Sequence, residues 1–236
     1  MDNNTHKTPH QIIESQIGKW ELASADGGAP GANAFRPVIA VSRLPGCNTV
    51  DIVARVGEAL KLDVFNGKLV ELVAQDAHLA QSVAESLDET ELSAIDDWMG
   101  ELLSEHHFSQ DSFFARLSRL IVEIGKHGNS IIVGRGATLL LPPADSLRVL
   151  LTAPLESRVE NVVRKYKVTP GEARERILHR EADRRAYIDR YFHREMDDPL
   201  MYDLTLNVAN LGCANTVDIL CAAWRSKAAG CPKRCA

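Results

Sequence analysis

Four short apolar runs, separated by segments with helical periodicity, constrain the fold of this 236-residue chain more than any other feature. The runs cover residues 38–41, 130–133, 147–152 and 204–208, and residues 63–65 form a very short fifth candidate. Continuous apolar runs of this length are typical of strands that are buried on both faces of a parallel sheet. Because helical patterns lie between them, the sequence predicts an α/β fold, a three-layer parallel sheet with helices on both faces.

The two ends of the chain differ in pattern from its middle. Apolar residues recur at helical spacing over residues 10–22, which predicts an amphipathic helix, and a segment rich in Gly and Ala at 23–33 resembles a flexible linker. We therefore expect three parts: the helix and linker at 1–35, a main domain at 36–226, and a short tail at 227–236.

Composition and charge argue against several classes of protein. A formal net charge of −5 disfavours a non-specific nucleic-acid binder, which needs a basic balance. No run approaches the roughly 20 apolar residues that span a bilayer, and the polar first ten residues lack the apolar stretch of a secretory signal. The five cysteines, an odd number at irregular spacing, do not suggest a disulfide framework. We expect a cytoplasmic protein without membrane or nucleic-acid partners.

The segment that follows the first strand, residues 42–51, has the arrangement of a phosphate-binding loop. A buried strand, a tight Gly-containing turn and a helix N-terminus together direct backbone N–H groups towards an anion. A complete loop of this kind has two glycines followed by a lysine and a hydroxyl residue, whereas this one keeps Gly46 and has Asn48 and Thr49 at the second glycine and lysine positions. An ordinary turn between strand and helix therefore stays open as an alternative. The candidate phosphate-binding residues are Ser42, Arg43, Gly46, Cys47, Asn48, Thr49 and Val50.

A second glycine-containing turn, Gly134-Arg135-Gly136, follows the 130–133 strand. A dinucleotide-binding fingerprint would need Gly or Ala where Leu139 stands, and the acidic residue near the expected distance, Glu156, lies at a helix start rather than a strand end. This disfavours a dehydrogenase. Arg135 suits an anion, although a structural arginine paired with a nearby carboxylate accounts for it as well.

The stretch from Arg174 to Arg194 alternates arginines with acidic residues. A solvated helix stabilised by i,i+4 ion pairs explains this pattern without any function. Arginine is nevertheless the side chain best suited to hold transferring phosphoryl groups, so a mobile arginine-rich flap over the phosphate loop is the second interpretation. The pairs His106–His107 and His179–Asp183 have no further metal ligands at familiar spacing, and we predict no metal site at either pair.

Several segments, in order along the chain, together resemble the cytidylate kinase-like family, a branch of the nucleoside monophosphate kinases with the P-loop fold. Before the linker, residues 16–21 resemble the family's leading helix. The other matching segments are Val38–Arg43, Phe65–Leu69, Ile132–Ala137, Leu151–Arg158, Asp183–Tyr187 and Asp198–Asn207.

The resemblance implies transfer of a phosphoryl group from ATP, which carries its own Mg²⁺, to a nucleoside monophosphate such as CMP or dCMP. It further implies an acceptor-binding insertion at residues 66–110 and a lid at 167–196. Gly46 and its neighbours would hold the donor phosphates. The other implied roles are Gly134 and Arg135 at the acceptor phosphate, Asn66 and Lys68 near the acceptor sugar or base, Arg158 near the donor, and Arg184, Arg185 and Arg190 over the transferring group.

The phosphate loop departs from the family. The family's loop resembles Tyr-Gly-Ser-Gly-Gly-Arg-Glu, whereas residues 45–51 are Pro-Gly-Cys-Asn-Thr-Val-Asp. The Cβ atoms of Asn48 and Thr49 are expected to hinder the positive φ angles of a phosphate nest. Asp51 is a candidate magnesium ligand, but a solvent-facing position in the first helical turn is the favoured interpretation. A second hypothesis therefore stands beside the kinase: a catalytically impaired descendant that binds a nucleotide or a protein partner.

Overall fold

A computed structural model of the protein describes residues 9–25, 36–87, 89–106 and 112–230. Its centre is a sheet of five strands that are all parallel, in the order β2-β3-β1-β4-β5. The strands are β1 (Val38–Arg43), β2 (Asp63–Asn66), β3 (Ser130–Val133), β4 (Ser146–Thr152) and β5 (Leu204–Asn207). Each of the five predicted runs is a strand, and β2, which was predicted from the shortest run, is an edge strand.

Helices connect the strands and cover both faces of the sheet. They are α1 (Pro9–Ala25), α2 (Thr49–Leu60), α3 (Gly67–Gln75), α4 (Ala77–Glu85), α5 (Glu89–His106), α6 (Ser112–His127), α7 (Ala137–Leu140), α8 (Leu155–Tyr166), α9 (Pro170–Phe192) and α10 (Val208–Ala228), with a 3₁₀ turn at Pro199–Met201. Gly212 interrupts the helical conformation of α10 near its start. No helix in the described ranges has both the length and the apolar content that crossing a membrane requires.

Successive side chains of the buried strands point alternately into two hydrophobic clusters. Val38 and Ala40 of β1 face a cluster that includes residues of α1 and α3–α7 and the end of α9. Ile39 and Val41 face the other cluster, which includes residues of α2 and α10. Because side chains alternate across a strand, an entirely apolar run satisfies both faces at once. The predicted three-layer α/β fold is therefore confirmed.

The N-terminal helix is part of the main core. It ends at Ala25, three residues beyond the predicted helix and inside the predicted linker, while residues 26–35 lie outside the described ranges. The Trp20 ring stacks on the His127 ring with centroids 3.8 Å apart, and burial lowers the pKa of His127 to about 4. Since α1 contacts α3 and α4, it supports the region between β2 and β3 rather than forming a separate unit.

The closing helix extends beyond its predicted end. We expected the tail to begin at residue 227, whereas α10 continues to Ala228 and the Lys227 ammonium donates a hydrogen bond to the Pro143 carbonyl, 2.8 Å away. This contact fastens the last helical turn to the loop before β4. Tail residues 231–236 lie outside the described ranges.

Candidate functional site

The loop between β1 and α2 has the backbone conformation expected of an anion-binding turn. Gly46 and Asn48 both have positive φ angles, 91° and 48°. The N–H groups of residues 46–50 donate to no oxygen atom in the described part of the chain, so five consecutive donors are available. Successive unpaired amides in this geometry attract phosphate, and the N-terminus of α2 adds positive potential.

The expectation that Asn48 would hinder this conformation is wrong. Asn48 adopts the left-handed region (φ 48°, ψ 30°) and lies directly before the first helical residue. Asparagine tolerates this region better than other residues with a Cβ atom because its short polar side chain bonds locally. One glycine and one asparagine therefore supply the two positive φ angles of this loop.

Arg158 holds the loop from behind. It donates from Nε to the Ala153 carbonyl (3.0 Å) and from Nη1 to the Pro45 carbonyl (3.4 Å), and its Nη1 lies 2.7 Å from a Glu181 oxygen. Only 7% of its side chain is exposed. A Cβ atom on Gly46 would lie 2.8 Å from the Arg158 carbonyl oxygen, so only glycine fits there. The predicted donor-side arginine thus lies beneath the loop, where its guanidinium is already bonded.

The side chains of the loop offer little chemistry of their own. Cys47 is buried in the core, and burial raises the pKa of its thiol to about 11. Thr49 is buried as well, whereas Val50, at the position of the usual hydroxyl residue, is 64% exposed. The loop therefore contributes backbone donors rather than a lysine, a reactive thiolate or a metal-binding hydroxyl.

A cavity of about 190 Å³, here called the donor cavity, lies between this loop, α8 and α9. Five cationic side chains line it: Arg43, Lys165, Arg176, Arg180 and Arg184. Within the described residues, no aspartate or glutamate lines it. Lys165, Arg176 and Arg180 were not among the predicted site residues, although the i, i+4, i+8 spacing of Arg176, Arg180 and Arg184 indicates that these three share one helix face.

A second cavity of about 370 Å³, here called the acceptor cavity, lies on the other side of Arg43 and Arg184. Its lining includes Ser42, Gly134 and Arg135 together with apolar residues of α9. Ser42 was expected at the donor phosphates, but it lines this cavity instead. Arg43 and Arg184 line both cavities and therefore stand between them.

The guanidinium groups of Arg43, Arg135 and Arg184 interact with one another at this junction. Arg184 donates from Nη1 to the Arg43 carbonyl at 2.7 Å. Burial, with Arg184 and Arg135 nearby, lowers the pKa of Arg43 to about 9. Burial, with Arg180 and Arg135 nearby, also lowers the pKa of Arg184. Clustered cations that destabilise one another in this way are stabilised when an anion binds between them.

The acceptor-side residues are placed differently from one another. Arg135 has a positive φ of 54° and its Nε lies 2.8 Å from a Glu71 oxygen, so in this state it has a carboxylate partner. Asn66 caps α3, and its side chain accepts from the N–H groups of Lys68 and Leu69 at 3.1 and 3.0 Å. Asn66 and Lys68 are exposed and line neither cavity. Their assignment to the acceptor stays a prediction.

Two of the predicted lid arginines lie away from the junction. Arg185 is 2.6 Å from an Asp197 oxygen and 3.2 Å from a Glu181 oxygen, and Arg190 lies over the Tyr191 ring, 5.2 Å from its centroid. Neither lines the donor cavity or the acceptor cavity. Of the three arginines to which the resemblance gave this role, only Arg184 lies at the junction of the two cavities, because α9 directs Arg185 and Arg190 to other faces.

Candidate metal ligands do not cluster in the described ranges. No group of three or more His, Cys, Asp or Glu side chains within the described ranges could hold a metal ion. Asp51 is exposed in the first turn of α2, as the favoured interpretation had it, and lines neither cavity, while Asp183 lines the acceptor cavity. His179 lies 3.6 Å from Asp183 in an exposed pair, and His107 lies outside the described ranges.

Comparison with known proteins gives a consistent result. A model of the cytidylate kinase-like family matches residues 38–210, from β1 to the start of α10. The cytidylate kinase of Methanocaldococcus jannaschii is 24% identical over 190 residues, which covers 79% of this chain and 96% of the relative. The cytidylate kinase of Pyrococcus horikoshii is 28% identical over 173 residues, which covers 73% and 80%.

A solved structure with a similar fold comes from Eubacterium ventriosum, where the protein is uncharacterized. It matches with a TM-score of 0.65 at 16% identity, and the match covers 81% of this chain and 99% of that one. At this identity the likeness concerns the fold alone.

Proposed function

The chain belongs to the cytidylate kinase-like family, and from this we propose that it transfers a phosphoryl group from ATP to a nucleoside monophosphate, with CMP and dCMP as the preferred acceptors. One observation carries the proposal: the donor and acceptor cavities meet at Arg43 and Arg184. Arg135 lines the acceptor cavity, and the residues of the five free amides line the donor cavity. A donor in one cavity and an acceptor in the other would bring their reacting phosphates to this junction.

The proposed chemistry needs little beyond positioning and charge. Phosphoryl transfer spreads negative charge over the transferring group, and the protein accelerates it by aligning the two substrates and stabilising that charge. We assign the amides of residues 46–50 to the donor phosphates, and Arg43 and Arg184 to the transferring group. Arg135 would exchange its Glu71 partner for the acceptor phosphate. Mg²⁺ would enter with ATP as part of that substrate.

A specific observation favours the second candidate, a protein that binds nucleotides without turnover. Thr49 replaces the lysine of a complete phosphate loop, and Val50 replaces the hydroxyl residue. The cations of α9 line the same cavity as this loop and could supply the missing positive charge, and this is why we place the kinase first.

The test is a coupled turnover assay with CMP, dCMP, UMP and AMP, accompanied by calorimetric titration with ATP. We expect Arg184→Ala to lower kcat/KM on the order of 10²–10³-fold, as the loss of one stabilising donor does in other enzymes. The matched control is Arg174→Ala on the same helix, because Arg174 is exposed and paired with Glu156.

Each result has a defined meaning. Wild-type binding of ATP without turnover of any of the four monophosphates would favour the non-catalytic candidate. Equal losses in Arg184→Ala and Arg174→Ala would show that the junction is not where transfer occurs.

A further inference from the structure

The donor cavity has an unusual balance of charge for a site that takes a magnesium-bound nucleotide. Its lining carries five cationic side chains and, within the described residues, no acidic one. A divalent cation on the phosphates cancels part of the negative charge that these side chains would otherwise contact. In a cavity partly screened from water the effective dielectric constant is lower than in bulk solvent. The same reduction in ligand charge therefore lowers its attraction to each cationic side chain by a larger amount.

Among the described residues, the cavity lining also contains no carboxylate that could help to hold the ion. Mg²⁺ in phosphate sites is usually bound by one or two carboxylates or hydroxyls besides the phosphates. Here Val50 occupies the hydroxyl position, Thr49 is buried, and the N–H groups of residues 46–50 are donors without a partner in the described part of the chain. Donors and guanidinium groups attract phosphate oxygens and repel a metal ion.

The cations are arranged along a line. Arg176, Arg180 and Arg184 lie on one face of α9, each four residues from the next. At about 1.5 Å of rise per residue, each step covers about 6 Å and the row about 12 Å. A row of this length matches a linear phosphate chain better than a single phosphate group.

We propose that the donor cavity selects its ligand by the charge of a linear phosphate chain, and that it binds metal-free ATP or inorganic tripolyphosphate more tightly than the magnesium complex of ATP. The inference rests on the proposed assignment of this cavity to the phosphoryl donor. The α9 arginines supply the neutralisation that a metal ion supplies elsewhere.

The experiment is isothermal titration of the full chain with three ligands at matched ionic strength: ATP with EDTA, ATP with excess MgCl₂, and tripolyphosphate with EDTA. We expect metal-free ATP to bind about tenfold more tightly than its magnesium complex, and tripolyphosphate to bind about as well as metal-free ATP. Equal or tighter binding of the magnesium complex would overturn the proposal, as would failure of tripolyphosphate to bind.

Two variants assign the effect to the row of arginines. In Arg176→Ala the advantage of metal-free ATP should fall to about threefold or less, while the matched control Arg174→Ala, two residues away and outside the cavity, should keep it. Equal behaviour of the two variants would contradict the proposal. Circular dichroism and thermal unfolding establish that both variants are folded.

The turnover assay separates this inference from the proposed function. If metal-free ATP bound more tightly than its magnesium complex but no monophosphate were phosphorylated, the kinase proposal would be contradicted and the inference about the donor cavity would stand. Turnover together with preference for the magnesium complex would remove the inference alone, and absence of binding by all three ligands would overturn both.

Discussion

The two halves of α9 are held by different forces. In the first half, Ala173 and Ile177 pack with Val159 in a small cluster on α8. In the second half, Ile188 and Phe192 belong to the main hydrophobic cluster, together with Phe114 of α6. The first half therefore rests on few apolar contacts and the second is built into the core.

Charged contacts partly compensate for the thin packing of the first half. Glu181 accepts from Arg158 at 2.7 Å, and Arg158 in turn bonds the phosphate loop. A second ion pair, Arg174 with Glu156, also joins α9 to α8 but lies on the surface. Arg176 and Arg180, which line the donor cavity, thus sit on the more thinly packed half of α9, and elements that close over ligands are generally of this less stable kind.

The aromatic anchor of the second half is the strongest point of this contrast. The Phe114 ring stacks on Tyr191 with centroids 4.0 Å apart and meets Phe192 edge-on at 5.7 Å. We expect Phe114→Ala to lower the free energy of unfolding by about 3–5 kcal/mol, because the truncation leaves a cavity in the main core. Urea unfolding followed by circular dichroism measures this.

Ile177→Ala is the counterpart in the first half, where Ile177 is equally buried. We expect a smaller global loss of about 1–2 kcal/mol and faster amide hydrogen exchange confined to the first half of α9, since local opening absorbs the rest. If Ile177→Ala and Phe114→Ala lowered global stability equally, α9 would be one cooperative unit and the contrast would not hold.

The ion pairs between α8 and α9 provide the next test of the difference between the two halves of α9. Glu181→Gln leaves the buried Arg158 without a counter-charge, and we expect a loss of about 1–2 kcal/mol after allowing for solvent. Glu156→Gln is the matched control on the surface and should change stability less. Thermal unfolding of the two variants at neutral pH makes the comparison.

The pH dependence of the same variant gives an independent check. Burial alone would raise the pKa of Glu181, but hydrogen bonds from Arg158 and Arg185 outweigh it and hold the pKa below 4.5, its ordinary value. Because the folded-state pKa is depressed, the stabilisation is complete above that value and declines as the pH falls below it. The difference between wild type and Glu181→Gln should therefore narrow below about pH 4.5. If the difference in stability stayed constant below that pH, the charge of Glu181 would not be its source.

The smallest expected effect concerns Arg190, on the anchored half. Its guanidinium lies over Tyr191 and outside both cavities. We expect Arg190→Ala to change kcat/KM by no more than about twofold, as surface substitutions do. A loss comparable to that of Arg184→Ala would mean that the second half of α9 rotates towards the junction during turnover.

Much of the fold was predictable because its signals are local. Apolar runs such as 38–41 and 130–133 can be satisfied only between two layers of helices, so strand positions and layer architecture follow from short segments. The strand–loop–helix pattern predicted a phosphate-binding loop after the first strand, and the resemblance of several segments indicated the family. The conformation of Asn48 was missed because general steric reasoning overlooked the tolerance of asparagine for positive φ.

The face of α9 that meets the site was decided by tertiary structure. Arginines and acids occur on every side of residues 172–195, so composition alone could not choose between Arg184 and Arg185. Packing made the choice: once Ala173, Ile177 and Phe192 are buried, Arg184 points at the junction and Arg185 is carried away from it. Local sequence determines that a helix forms and that it is charged, whereas its rotation about its own axis depends on contacts with residues distant in the chain.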